Sequence, residues 1–371
     1  MDKKEKEKSN EENENILIRS YSSINYNRNN SLIQNYENIK EIVIKKEKGE
    51  LLYFFYSYNS NYLYCLLSNN DLDIYKLDNK NKINEYNLVK VITPKGQFLP
   101  YKNKEKRNLT LKPKYKFCEL SSNSFIFCQN LDKTIKYIND DNEFSILLKS
   151  YTTSIKRINN DEFITGHDNG KICKWKIDYS KKDNKIELNL ILTIKSNKGP
   201  ITSLIFNEKY NIIISADTNT LMIRKNYDFE YLTSIKIENK EHLKKYIIDI
   251  KISEYDMLYV SVFVEDNNTY ELQGFSLNGT FFNKYKGNFS NFEINRKGKI
   301  IISEINKPII RILDPINFNE IYSKEFSIDG NSFFHFEFQK PNIFYYGVKE
   351  KNDITKIKIT YLDQNEEKFF I

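Results

Sequence analysis

The sequence is poor in the residues that build helices. Alanine is nearly absent, and the 371 residues include only 11 glycines and 7 prolines. β-branched and aromatic residues are abundant instead, and they favour strands over helices. Since glycine and proline are scarce, asparagine and aspartate must occupy many of the turns. These shortages predict an all-β chain.

The sequence also lacks long apolar runs and paired cysteines. No run of about 18 apolar residues exists, and the first fifteen residues are charged rather than apolar, so we expect no membrane-spanning helix and no signal peptide. Cys65, Cys118, Cys128 and Cys173 form no CxxC pair and lie inside apolar runs. They indicate small buried side chains in a reducing compartment. The expected location is cytoplasmic, with peripheral membrane attachment as an option.

The charge pattern does not indicate a dedicated nucleic-acid binder. The formal net charge is +7, and lysine and glutamate alternate along the expected strands. A nucleic-acid-binding protein usually concentrates its positive charge on one face. The pattern is more typical of solvated strand faces.

Residues 162–178, EFITGHDNGKICKWKID, predict a β-hairpin. Two alternating runs flank the turn Asp168-Asn169-Gly170, whose residues tolerate positive φ or bond back to their own backbone. The second run carries Trp175, the only tryptophan of the chain. We predict that Trp175 is structural and packs between neighbouring units.

The hairpin belongs to a repeat with seven copies. Each copy reads as strand, polar turn, apolar strand, polar turn and strand. The last apolar residues of the first strands are Tyr56, Leu120, Ile158, Phe206, Ile252, Ile294 and Phe338. Apart from one longer step after the first copy, their spacing fits the repeat of about 40–50 residues that is typical of propeller blades.

Four antiparallel strands in each unit predict a seven-bladed β-propeller. Residues 187–195, 231–237 and 320–326 supply fourth strands. Residues 38–46 read as a spare strand that closes the ring by pairing with the last unit near Ile357. We therefore expect the propeller to occupy residues 37–371, with a basic insertion at about 95–114. Residues 1–36 lack periodicity and are expected to be disordered or loosely attached.

The units resemble WD repeats. TGHDNGKICKWKI, ending at Ile177, occupies the position of the family pattern SGSDDGTIKLWDL, and Trp175 matches the family tryptophan. Lys176 stands where the aspartate of the WD pair belongs. The family's Gly-His pair is missing from the start of the first strands, because Gly166-His167 lies at the second turn. The resemblance implies a WD-repeat-like propeller with a weakened set of stabilising hydrogen bonds.

A narrower resemblance covers residues 110–320. The order of FIFCQNLDKTIKYI, FITGHDNGKICKW, LQGFSLNGTFFNKY and IIRILDPINF is similar to the carboxy-terminal propeller of BEACH-domain proteins of the neurobeachin type. That resemblance implies a role in vesicle and membrane trafficking. The BEACH domain of that family should lie upstream and is not in this sequence.

The sequence offers no catalytic constellation. His167, His242 and His335 fall in three different units, so their convergence on a metal or a general acid–base site is not expected. No phosphate-binding loop, nucleophile elbow or HExxH helix occurs. We therefore expect a non-enzymatic protein without catalytic, cofactor-binding or metal-binding residues and without a small-molecule substrate. A propeller enzyme is the weakest of the alternatives.

Partner-binding residues are expected on the turns between second and third strands. Rigid scaffolds carry binding residues on their loops, although ordinary turn chemistry explains any one of these residues. The candidate residues are Asn70, Asp71, Asp132, Asp168, Asn169, Asp217, Asn219, Asn306 and Lys307. The sequence thus favours a scaffold for protein–protein interaction. A propeller subunit of an RNA-processing or other nuclear complex is the alternative.

One segment favours an acidic membrane surface as a further partner. Lys102, Lys104, Lys106 and Arg107 lie close together in the basic insertion, with Glu105 as the only acid near them. Each basic residue near an anionic membrane adds about 1 kcal/mol of attraction. The same segment also fits a solvated loop.

Overall fold

A computed structural model gives the architecture of the chain. All the residues that it describes belong to the unit Asn38–Ile371. They are residues 40–44, 51–57, 62–67, 71–78, 85–92, 117–121, 124–129, 133–139, 143–180, 185–238, 244–295, 298–304, 307, 309–325, 333–340, 343–349 and 355–361.

These residues form antiparallel four-stranded sheets. Six sheets consist of four strands that follow one another in the chain. Their strands are β2 to β5 (Leu51–Ser57, Tyr62–Leu67, Leu72–Asp78, Glu85–Ile92), β6 to β9 (Phe117–Ser121, Ser124–Gln129, Thr134–Ile138, Glu143–Leu147), β10 to β13 (Thr152–Arg157, Glu162–His167, Lys171–Ser180, Lys185–Lys195), β14 to β17 (Ser203–Asn207, Ile212–Ala216, Thr220–Lys225, Tyr231–Lys236), β18 to β21 (Lys245–Ile252, Met257–Val264, Thr269–Ser276, Phe281–Gly287) and β22 to β25 (Phe289–Ile294, Ile300–Glu304, Ile309–Leu313, Glu320–Glu325).

The last sheet joins the two ends of this unit. It contains β26 (Phe333–Lys340), β27 (Ile343–Lys349), β28 (Thr355–Tyr361) and β1 (Lys40–Ile44), in the order β1-β28-β27-β26. Ile42 pairs with Ile357 in the antiparallel β1–β28 ladder. The predicted closure by residues 38–46 is therefore confirmed, and the backbone groups of β28 are paired on both sides.

The predicted blade count needs correction. The structure has six blades that are each built from four consecutive strands, not the seven that were predicted. β26–β28 form a composite sheet with β1 instead. The sequence pattern could not give the blade count, because periodicity locates strands but does not show how a sheet packs on its neighbours.

The ring is held together by apolar contacts between neighbouring blades. Inner strands contact one another in the order β6, β10, β14, β18, β22, β26 and β2. One cluster places Ile126 and Tyr137 of the β6–β9 blade against Phe163 and Trp175 of the β10–β13 blade. Burying one large apolar side chain stabilises the folded state by about 1.5–3 kcal/mol. The core is therefore a series of layers between blades.

Cys118, Cys128 and Cys173 lie in one of these layers. Cys65, Cys118, Cys128 and Cys173 are buried and unbridged, as the sequence predicted. Burial raises the pKa of the Cys118 thiol to about 12 and also raises the pKa of Cys173. The thiols of Cys118 and Cys173 are therefore protonated and unreactive at neutral pH.

Five outer strands carry a bulge at corresponding positions. In each of them the ladder to the third strand skips one residue of the outer strand. The skipped residues are Val89, Ile191, Leu232, Phe282 and Ile321. A bulge bends its strand and increases the local twist. The outer edges of these blades are therefore not flat.

Candidate partner-binding faces

The propeller presents two sets of turns. We call the upper face the side that carries the turns between second and third strands together with the connections into the inner strands. The lower face carries the turns between first and second strands and between third and fourth strands. Main-chain bonds link neighbours on the upper face, for example from the amide of Ile201 to the carbonyl of His167 at 3.0 Å. Side chains do so on the lower face, where Lys209 contacts Asp256 of the next blade.

The upper-face turn at Asp168 is braced by the connection to the next blade. Gly170 adopts φ of 77°, and an added Cβ would lie 2.2 Å from the carbonyl oxygen of Asn197. The amides of Ser196 and Asn197 donate to the Gly170 carbonyl. Asn169 accepts a hydrogen bond from the amide of Lys171 at 3.1 Å, and its side chain is otherwise exposed. Glycine is required here by both its φ and the close approach.

The next upper-face turn uses its aspartate internally. The Asp217 carboxylate is buried and accepts hydrogen bonds from the amides of Asn219 and Thr220 at 3.1 and 2.9 Å. The carbonyl of Thr218 accepts a hydrogen bond from the amide of Ile247 in β18, and the carbonyl of Asn219 accepts one from the amide of Ile237, which follows β17. Asp217 therefore shapes the turn, while the exposed residue is Thr218.

The remaining predicted partner-binding residues divide into two groups. Asp71 is half-buried, and its carbonyl accepts from the amide of Leu67. Lys307 is exposed and forms an ion pair of 3.3 Å with Glu304. The others lie outside the described residues: Asn70, Asp132, Asn306, Lys102, Lys104, Lys106 and Arg107. The structure thus brings Asp168, Asn169, Asp217 and Asn219 to one face.

Trp175 takes part in a buried hydrogen-bond chain. Its Nε1 donates to Thr165 Oγ1 at 2.8 Å, and Thr165 Oγ1 lies 2.9 Å from His167 Nε2. The indole also stacks on Phe163, with ring centroids 6.3 Å apart. Trp175 lies in the apolar layer between the β6–β9 and β10–β13 blades. Its single polar atom is satisfied within its own blade.

His167 is the last member of this hydrogen-bond chain and does not belong to the turn. It is the last residue of β11 and is 2% exposed. Burial lowers its pKa from 6.5 to about 4; the backbone of Tyr151 opposes this shift, and Lys171 adds to it. The imidazole is therefore neutral at physiological pH. The sequence signal for this hydrogen-bond chain was the spacing of Thr165 and His167, which are two residues apart and therefore lie on the same face of the strand.

The described residues show neither a metal cluster nor a membrane-spanning helix. No group of three or more His, Cys, Asp or Glu side chains in the described part of the chain is arranged to hold a metal ion. Within that part, no helix has the length and apolar character needed to cross a membrane.

The structure also reveals exposed aromatic residues that the sequence analysis missed. Tyr210, Tyr227 and Tyr255 lie in lower-face turns and are 48%, 59% and 49% exposed. Their only sequence signal is the placement of a tyrosine inside a short polar turn. The 27 tyrosines of the chain make that signal weak, because half of the strands carry tyrosine as well.

Comparisons with known proteins define the fold. The sequence matches no known family pattern and no curated protein. The β-propeller domain of Cps50 (Swd1) from Myceliophteria thermophila is similar in structure, with a TM-score of 0.60 and 10% sequence identity. The match covers 87% of this chain and 100% of that domain. In total, 1015 chains of known structure match, so the fold by itself does not select a function.

The fold is therefore that of a WD-repeat-like β-propeller with four antiparallel strands in each blade. The narrower resemblance to the BEACH-type propeller is not supported by any of these comparisons.

Proposed function

We propose that this protein is a non-catalytic scaffold that binds partner proteins on the upper face of its propeller. The observation that supports the proposal is the bracing of the upper-face turns by main-chain bonds to adjacent connections. Ser196 and Asn197 hold the turn at Gly170, while Ile237 and Ile247 hold the turn at Thr218. Turns fixed in this way lose little conformational entropy when a partner binds.

The exposed side chains on these turns are suited to polar recognition. Asn169 and Thr218 are exposed on neighbouring blades, and Lys198 is exposed on the connection between them. Amide, hydroxyl and ammonium groups provide donors and acceptors that read a partner's surface. The side chain of Asp217 is committed to its own turn, so it supports this surface without contacting a partner.

The finer part of the proposal places the scaffold in membrane trafficking. It rests on the BEACH resemblance of residues 110–320 and on Lys102, Lys104, Lys106 and Arg107, which lie outside the described residues. The proposed location is cytoplasmic, with the basic insertion touching an acidic membrane surface. Electrostatic attraction of this kind requires no shaped pocket.

Affinity capture with a pair of matched variants tests the scaffold role. The face variant replaces Asn169 and Thr218 with Arg, and the control replaces Thr193 with Arg on the exposed side of outer strand β13. We expect the face variant to lose proteins that the wild type and the control both capture. Identical sets of captured proteins from all three would contradict binding on the upper face.

The identity of the captured proteins tests the finer proposal. Components of membrane traffic would support it. Subunits of an RNA-processing or other nuclear complex would replace it with the alternative scaffold role. If the purified chain turned over a substrate, and no surface variant abolished that activity, the non-catalytic assignment would be overturned.

A further inference from the structure

The lower face has an unusual concentration of exposed tyrosines. Five tyrosines in the described part of the chain are about half exposed, and all five lie at the lower ends of three adjacent blades. They are Tyr179, Tyr210, Tyr227, Tyr231 and Tyr255. Tyrosine is enriched at protein interfaces because it supplies a large contact area while losing only two side-chain rotations. The concentration on one side indicates a contact surface.

Three of these tyrosines lie in turns that are bonded to other turns. The Tyr210 hydroxyl donates to Asp256 Oδ2 at 2.7 Å, and Lys209 Nζ reaches the same atom at 2.5 Å. These contacts join the turn after β14 to the turn after β18. Within the first of these blades, Asn226 Nδ2 donates to Asn211 Oδ1 at 2.9 Å and joins the turn that carries Tyr227. The ring of Tyr210 is therefore preorganised, and so is the backbone of the turn that carries Tyr227.

Tyr255 is the best-supported aromatic platform of the three. Its ring packs against the next lower-face turn, where a Cβ on Gly298 would lie 2.8 Å from Tyr255 Cδ2. Gly298 has φ of 78°, so this close approach and the backbone both require glycine. Lys209 lies 4.9 Å from the ring centre of Tyr210 and Lys225 lies 5.6 Å from that of Tyr227. Among the described residues, no cation lies over Tyr255.

The three turns that carry these rings are mostly negative in charge. Residues 207–211, 225–230 and 253–256 carry five carboxylates and two lysines. The five are Glu208, Asp228, Glu230, Glu254 and Asp256. Both lysines are already in ion pairs, Lys209 with Asp256 and Lys225 with Glu230. Within the described part of the chain, no ion pair neutralises Glu208 or Glu254.

Glu208 and Glu254 occupy matching places on neighbouring blades. Each lies in the turn between a first and a second strand, and each is exposed and close in sequence to an exposed tyrosine. A cation placed over the face of Tyr255 would gain a cation–π contact. A carboxylate beside that ring adds Coulomb attraction for the same cation.

We propose that Tyr210, Tyr227, Tyr255 and the carboxylates of their turns form a docking patch for an extended, arginine- or lysine-containing segment of a partner protein. The inference rests on the proposed scaffold role, but it concerns the opposite face of the propeller. The negative charge selects basic segments and disfavours nucleic acid. The patch ends at the turn of Gly298, whose Arg296 and Lys297 lie outside the described residues.

A displayed library of random short peptides, selected on the immobilised full-length chain, tests this proposal. We expect enrichment of peptides that contain arginine or lysine, and weaker binding of a selected peptide as salt rises from about 50 to about 500 mM. Changing Glu208 and Glu254 to Lys should weaken that peptide at least about 10-fold, as loss of central interface contacts does. Neither glutamate makes a packing contact that folding needs, so the variant should melt like the wild type.

Matched controls separate the outcomes. Glu238→Lys and Asp266→Lys place the same charge change at exposed positions on the upper side and should leave peptide binding unchanged. Tyr255→Ser should weaken binding as well, without a change in oligomeric state. Enrichment of only acidic or uncharged peptides would overturn the proposal. Equal losses of peptide binding in the Glu208/Glu254 variant and in the Glu238/Asp266 control would also overturn it. The proposal would also be overturned if the wild type self-associated and the Tyr255 variant did not, because the patch would then bind a second copy of this chain.

Failure of this proposal is distinguishable from failure of the scaffold role. If upper-face variants lose captured proteins while the lower-face variants bind peptide and partners as before, only the docking patch is wrong. If captured proteins are the same for all variants and no peptide is enriched, the scaffold role itself is contradicted.

Discussion

Acid should destabilise this propeller through His167. The imidazole is buried at the end of β11 and bonded to Thr165, and burial holds its pKa at about 4 in the folded chain against 6.5 in an unfolded one. Between these values the unfolded chain binds more protons than the folded chain. Stability contributed by the neutral imidazole is therefore complete above about pH 6.5 and is lost as the pH falls toward about 4.

The size of the effect follows from the two pKa values. The full loss corresponds to about 3 kcal/mol, because each unit of difference is worth about 1.4 kcal/mol. About 2 kcal/mol of it is lost already at about pH 5, where the folded imidazole is still mostly neutral and the unfolded one is mostly charged. A loss of this size is a large part of the stability of an ordinary domain.

Urea unfolding of the wild type and of His167→Gln provides the measurement. Trp175 reports on the region directly, since it is the only tryptophan and donates to the same Thr165 hydroxyl. Glutamine keeps a hydrogen-bonding group but does not titrate. We expect the wild type to lose about 2 kcal/mol more than the variant between about pH 7 and about pH 5. Parallel loss of stability in the two proteins would refute the assignment of the effect to His167.

The other predictions concern packing, ring closure and the basic insertion. Trp175→Ala should cost about 3–5 kcal/mol of folding free energy, measured by the shift in thermal unfolding; unchanged stability with lost partner binding would make Trp175 an exposed contact instead. Deletion of residues 1–46 removes β1 and leaves the edge of β28 unpaired, so it should lower the melting temperature and promote association, whereas deletion of 1–36 keeps β1 and serves as the control. If both truncations melt alike, ring closure does not depend on β1. Changing Lys102, Lys104, Lys106 and Arg107 to Ser should reduce sedimentation with liposomes of acidic lipid at low salt while the melting temperature stays the same. Equal sedimentation of this variant and the wild type would favour a solvated loop.

The strands were predictable because their sequence signals are local. Alternation over residues 187–195 and 231–237 gave outer strands that the structure places at Lys185–Lys195 and Tyr231–Lys236. The pairing of the two ends was also predictable, since an unpaired apolar strand near the start matched a missing strand near the end. Period-two patterns and loop lengths are enough for both inferences.

Burial at turns and strand ends was not predictable from the same signals. His167 follows Gly166 and precedes Asp168-Asn169-Gly170, so the sequence placed it in the turn. Its carbonyl instead accepts the amide of Ile201, and the side chain enters the blade. Contacts with the next blade make that difference.

The narrower family resemblance also exceeded what its residues could support. Segments such as FSLNGTFF encode strand, turn and strand, and every blade requires that order. A likeness built from such segments identifies blades rather than ancestry. The face turns carried more information, because Asp217 and Gly170 are fixed by specific bonds that the residue types anticipate.

The bulges in the outer strands bear on how the protein behaves in a crowded solution. The chain has many β-branched and aromatic residues, and Ile191 and Leu232 are exposed at the bulge positions. A straight outer strand with such residues would template fibril growth by adding further chains edge to edge. Because the skipped residue bends each of these strands away from a flat register, an arriving chain finds no continuous ladder to extend. The bulges in the outer strands thus also favour colloidal stability, because they disfavour edge-to-edge association of the blades.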